Sequence, residues 1–141
     1  MDNPKKFEGM SWLNMGCFPH DVLFAFNMDY KEITQMLKEK ESLDYLAGLK
    51  KDKQLIKDGK YFALSRPVKS DTGEIFELYY IIIKEFNFTD DDYCILAHEV
   101  LHITNFYLQK VLDRNKEFEA EAYFHSHLMR QCLNVLRGNT N

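Results

Sequence analysis

His98, Glu99 and His102 stand in the run His98-Glu99-Val100-Leu101-His102, and their types and spacing suit metal-assisted hydrolysis. In a helix, residues four apart project from one face with almost one turn between them, so both imidazoles can reach a single ion. Zinc is the ion expected of paired imidazole donors in this motif. A carboxylate beside the first ligand is placed to take a proton from zinc-activated water. The expectation is a Zn2+ site with His98 and His102 as metal ligands and Glu99 as catalytic base. The competing reading is two helix histidines hydrogen-bonded in a core.

Catalytic zinc normally takes three protein ligands plus water, so the chain after His102 has to supply one more. Asp113, Glu117, Glu119, Glu121, His125 and His127 are available. Glu119-Ala120-Glu121-Ala122-Tyr123 is the informative segment, because an alanine three residues after a glutamate lets a second helix come close to the first. Glu119 is the expected metal ligand and Glu121 the fallback. A helix rises about 1.5 Å per residue, so the motif helix must stop near Lys110 or Val111 for this to work. Leu112 to Lys116 then runs back extended, and Glu119 falls in the first turn of the last helix. Tyr123, one turn further on, is the second catalytic candidate, with its hydroxyl aimed at a bound oxyanion; a packing role is the alternative. His125 points away from Glu119, and His127 lies two turns on, about 12 Å along the axis. Cys94 precedes His98 by one turn and either borders the metal pocket or is a buried thiol. His20, beside Pro19, reads as structural.

The elements that must hold these groups are legible in the patterning. Residues 1–20 carry Pro4, Gly9, Gly16 and Pro19 and read as an irregular N-terminal arm. Asp21 to Asn27 is a short apolar run expected as a buried strand. Tyr30 to Leu49 spaces Ile33, Met36, Leu37, Leu43 and Leu46 as one or two helices, ending at Gly48. Lys50 to Lys60 is strongly charged and reads as a solvated turn rather than a partner-binding patch. Tyr61 to Ser65 and Ile75 to Phe86 are strands joined through Asp71-Thr72-Gly73 into a hairpin, the second apolar on both faces. Thr89 with Asp92 forms a capping box, and three successive acids favour the start of the motif helix. Leu96, Val100, Ile103 and Tyr107 give that helix an apolar stripe.

Composition bounds the rest. The chain has 141 residues, eleven Phe and eight Tyr, enough for one aromatic-rich core. A net charge of −4 does not indicate nucleic acid as a partner. The longest apolar run, Leu78 to Ile83, is too short to cross a membrane, and the N-terminus does not read as a signal peptide. Cys17, Cys94 and Cys132 show no paired spacing and read as reduced thiols, which points to the cytoplasm.

Together, the HEVLH and EAEAY segments resemble the small HExxH proteins of tailed bacteriophages and their hosts. In these, as in the ImmA/IrrE-type metallopeptidases, a glutamate of an E-x-x-A-[YN] segment completes the zinc site. The resemblance covers Cys94 to about Leu128, and the front of the chain agrees in layout only. It implies zinc on His98, His102 and Glu119, with Glu99 as base and with Ala122 and Tyr123 at packing positions. The metzincin extension HExxHxxGxxH is absent, as are an N-A-x-x-R segment and an identifiable repressor-recognition part. The expected fold is an α+β zincin-like domain, with a small, mainly antiparallel sheet packed on the HExxH helix and a C-terminal helix. The expected function is a gluzincin-like zinc metallopeptidase acting on a peptide or protein substrate. The alternative is a phage virion or assembly protein that binds other phage structural proteins through the same fold, using the aromatic arm Phe7 to Phe18. A third reading is hydrolysis of a non-peptide amide. Host cytoplasm, or the virion, follows as the location.

Overall fold

Apolar runs become strands, and the charged connections between them become helices. A computed structural model of the chain describes residues 8–15, 21–40, 43–69, 72–111 and 118–138. In order these form β1 (Gly9–Trp12), β2 (Val22–Phe26), α1 (Tyr30–Glu39), α2 (Leu43–Lys51), α3 (Lys53–Asp58), β3 (Tyr61–Lys69), β4 (Ile75–Ile83), α4 (Asp90–Val111) and α5 (Phe118–Leu136).

The sheet runs β1-β2-β4-β3. β3 and β4 form the expected hairpin, antiparallel from Tyr61 opposite Ile83 to Lys69 opposite Ile75. β1 is antiparallel to β2, but β2 and β4 are parallel, so the sheet is mixed. The parallel pair needs a long crossover, here α1 to α3 followed by β3. β1 itself corrects the expectation of an irregular arm: part of that segment pairs with β2 through Met10 and Ala25. Its neighbours close the core, with Leu13 and Met15 buried and Trp12 against Tyr45 at 4.7 Å between ring centroids.

Both faces of the central strands are covered, as the two-sided apolar pattern of β4 required. On one face Leu23, Ala25, Leu78, Tyr80 and Ile82 meet Ile33 and Leu37 of α1, Leu46 and Leu49 of α2 and Ile56 of α3. On the other, Phe24, Phe26, Tyr79 and Ile81 meet Leu96, Val100, Ile103 and Tyr107 of α4 and Phe124, Leu128 and Cys132 of α5. The result is a layer of helices on each side of a four-stranded sheet.

Two local expectations change. Gly48 does not end a helix but lies inside α2, where a Cβ would stand 3.0 Å from the Val68 side chain and 3.3 Å from Leu78. Its missing side chain lets α2 approach the sheet closely. Lys50 to Lys60 is not simply a solvated turn, because α3 forms within it and buries Ile56, while Asp52 is buried beside Arg66 and Tyr80. No described helix is long and apolar enough to cross a membrane.

Candidate metal centre

The motif helix begins where the cap was expected. The Asp92 amide donates to the Thr89 hydroxyl (3.2 Å), and the Thr89 amide donates back to the Asp92 carboxylate (3.4 Å). The same carboxylate accepts from the Asn87 amide at 2.7 Å, which fixes the approach to α4. Leu96, Val100, Ile103 and Tyr107 are fully buried, and this stripe sets the rotation of α4 about its axis. His98 and His102 are thereby turned to the surface, while Glu99 faces inward and is only 3% exposed.

The two imidazoles converge. Their Nε2 atoms are 3.0 Å apart, with ring centroids 4.6 Å apart and the planes nearly perpendicular at 86°. His102 also stacks on Phe106 at 6.1 Å. Ligand atoms of His98, Glu99 and His102 all lie within 4.8 Å of one another. Two nitrogens about 2.0–2.1 Å from a tetrahedral zinc stand roughly 3.3 Å apart, so a small opening of the observed pair accommodates the ion. The two imidazoles therefore suit two positions of a zinc site in type and in spacing. Glu99 is made a weaker acid than an ordinary glutamic acid, chiefly by burial, with the His102 and His98 charges opposing that shift. A carboxylate that gains proton affinity beside two imidazoles suits proton transfer.

The third ligand depends on α5. α4 is described as far as Val111 and α5 from Phe118, which places the Glu119 backbone near the start of the described part of α5. The Glu119 side chain, together with Asp113, Glu117 and the return segment Leu112 to Lys116, lies outside the described residues. The helix backbones nonetheless set a condition. Phe124 of α5 packs on Tyr107 of α4 at 4.5 Å, and the later residues of α5 are buried in the same core, so α5 returns alongside α4. Glu119 precedes Phe124 by five residues, and Tyr107 follows His102 by five, each about 7.5 Å of helix. In antiparallel helices the two offsets add to about 15 Å along the axes, so the described backbone does not bring Glu119 level with His102.

Glu121 is half-buried, on the stripe of Phe124 and Leu128, and does not join the group of His98, Glu99 and His102. Tyr123 is 72% exposed and lines a surface hollow with Ala122, Ser126, His127 and Arg130. An His127 ring nitrogen lies 2.5 Å from the Asn14 carbonyl oxygen, tying α5 to the end of β1. Cys94 is exposed and Cys132 buried, the latter raised far above an ordinary thiol pKa by desolvation. Cys94 shares a shallow hollow with Tyr61, Ile95 and His98. Sequence reasoning missed Tyr61 at this place, since nothing in its spacing links the start of β3 to the motif. Compared with known proteins, the chain matches no family model, no curated protein sequence and no solved structure.

Proposed function

We propose that this chain is a zinc-dependent metallopeptidase with a zincin-like arrangement, in which His98 and His102 hold the metal and Glu99 is the general base. The observation that carries the reading is the convergence of two exposed imidazoles at 3.0 Å with a buried carboxylate in the same group. Two interior histidines satisfied in a core would not both be exposed, so this exposure favours the metal reading over the bland one. Zinc bound there supplies a Lewis acid and makes water acidic enough to deprotonate near neutral pH. With the metal in place, Glu99 would hold the proton released by that water and pass it to the leaving amine. The sequence nominated Glu119 for the third position and Tyr123 as an assisting hydroxyl; the axial offset of Glu119 from His102 and the outward exposure of Tyr123 both speak against these assignments.

The sheet offers a place for the substrate. β3 is an outer strand, and its first residue, Tyr61, lines the hollow that includes His98. Pro67 has no N–H to give β4, so its amide position faces outward. By strand alternation the backbone groups of Tyr61, Ala63 and Ser65 face outward too, beside α4. An extended peptide adding to this edge would pass the histidines with its carbonyls ordered by main-chain hydrogen bonds.

Peptide-library digestion by the zinc-loaded chain, read by mass spectrometry, tests the proposal. The expected result is cleavage by the parent protein and a loss of about 100-fold or more in Glu99→Gln, with zinc retained. A zinc-loaded parent that cuts no peptide refutes the peptidase reading and leaves a metal-binding or assembly role.

A further inference from the structure

β2 and β4 are neighbouring parallel strands, and the chain leaves their carboxyl ends in opposite directions. After β2 it enters α1, which packs with Leu23, Tyr80 and Ile82. After β4 it enters α4, which packs with Phe24 and Ile81 on the other face. Such a divergence opens a crevice outside the strand ends, the place where open α/β sheets bind ligands. Both exits are specialised: Asn27 after β2 has φ 58° and Phe88 after β4 has φ 61°, both in the left-handed region that side chains rarely enter. The Asn27 side chain ties the exits together, donating to the Phe86 carbonyl (2.9 Å) and accepting from the Phe86 amide (2.6 Å).

A hollow of about 450 Å³ lies at these strand ends, lined by Asp29, Tyr30, Lys31, Thr34, Lys53, Lys57 and Lys84. Four ammonium groups thus come from α1, α3 and the residue after β4. Two are already placed: Lys53 sits 5.8 Å over the Tyr30 ring, and the Lys84 ammonium donates to the Lys57 carbonyl. The acid in the lining, Asp29, is committed to the α1 cap through the Glu32 amide at 2.9 Å. Among the described residues, none of the four lysines is paired with a carboxylate. In a chain of net charge −4, this concentrates positive charge against the average.

We propose that this hollow binds a multiply charged phosphorylated small molecule. Its volume falls in the range of small-molecule sites, roughly 300–1,000 Å³, and point-like ammonium groups around a concavity suit clustered phosphate oxygens. A concave hollow on an otherwise acidic chain fits a compact polyanion better than it fits a nucleic-acid duplex. The site involves neither His98 nor His102 and stands independently of the metallopeptidase reading.

Titration calorimetry of the metal-free full chain with sodium tripolyphosphate at low salt tests this. One saturable site per chain is expected, weakened at least tenfold in Lys53→Gln/Lys57→Gln and in Lys31→Gln/Lys84→Gln. Lys38→Gln, outside the hollow, should change affinity by less than twofold, and circular dichroism should show all variants folded. Absence of saturable binding overturns the proposal, as does binding that both lining variants preserve. A duplex oligonucleotide or an anionic vesicle that binds through the same lysines when tripolyphosphate does not also overturns it.

Discussion

Glu99 carries the consequence of being buried next to two exposed histidines. Its folded pKa lies above its unfolded value, so between the two the folded chain keeps a proton that the unfolded chain has released. Stability contributed by this group therefore falls as pH rises through that window and stays reduced above it. In chelated protein, Glu99→Gln should raise Tm at pH 7, and the gain should shrink as pH falls through the ordinary glutamate range, where both states come to hold the proton. Melts followed by circular dichroism across pH check this; a pH-independent difference would mean that Glu99 is not the buried acid described. Stabilisation on loss of the Glu99 carboxylate is the expected signature of a group kept for chemistry rather than for folding. The residue types and spacing made this trio legible from the sequence, and the Thr89 cap and apolar stripe fixed its rotation. The 3.0 Å approach of the two imidazoles was not legible, because it depends on the side-chain rotamers of His98 and His102.

Among the elements, the link between α2 and α3 does more than its composition suggested. Asp52, in a charged run, is 5% exposed and bonds to Arg66 on β3 and to Tyr80 on β4. Tyr80 is raised far above an ordinary phenol, first by burial and then by the Asp52 carboxylate. The network pins the helix layer to the hairpin. Arg66 is partly solvated, its side chain 34% exposed, which limits the value of the pair. Asp52→Ala should cost about 2–3 kcal/mol in urea unfolding, since charged hydrogen bonds are lost and the Tyr80 hydroxyl is stranded. A change below about 0.5 kcal/mol would show that the network is not stabilising. The hairpin, the two-sided β4 and the start of α4 could be read from local period and capping. α3 could not, because Ile56 is its one buried apolar residue in a run of lysines. β1 and the parallel β2–β4 pairing could not either, since they depend on contacts between distant segments.

For the molecule as a whole, the mixed sheet separates two regions of different chemistry. Histidines and a buried carboxylate lie with α4 on one face, and four lysines gather on the α1 and α3 side at the strand ends. The outer strand β3 brings one sheet edge beside His98 through Tyr61, and β1 is the outer strand of the opposite edge. The account stands on the histidine pair being a zinc site. Equilibrium dialysis of the full chain against zinc, with the metal quantified per chain, measures this directly. One zinc per chain is predicted, lost in His98→Ala and in His102→Ala. A parent chain that takes up no zinc, or one whose zinc survives both histidine substitutions, would contradict the account.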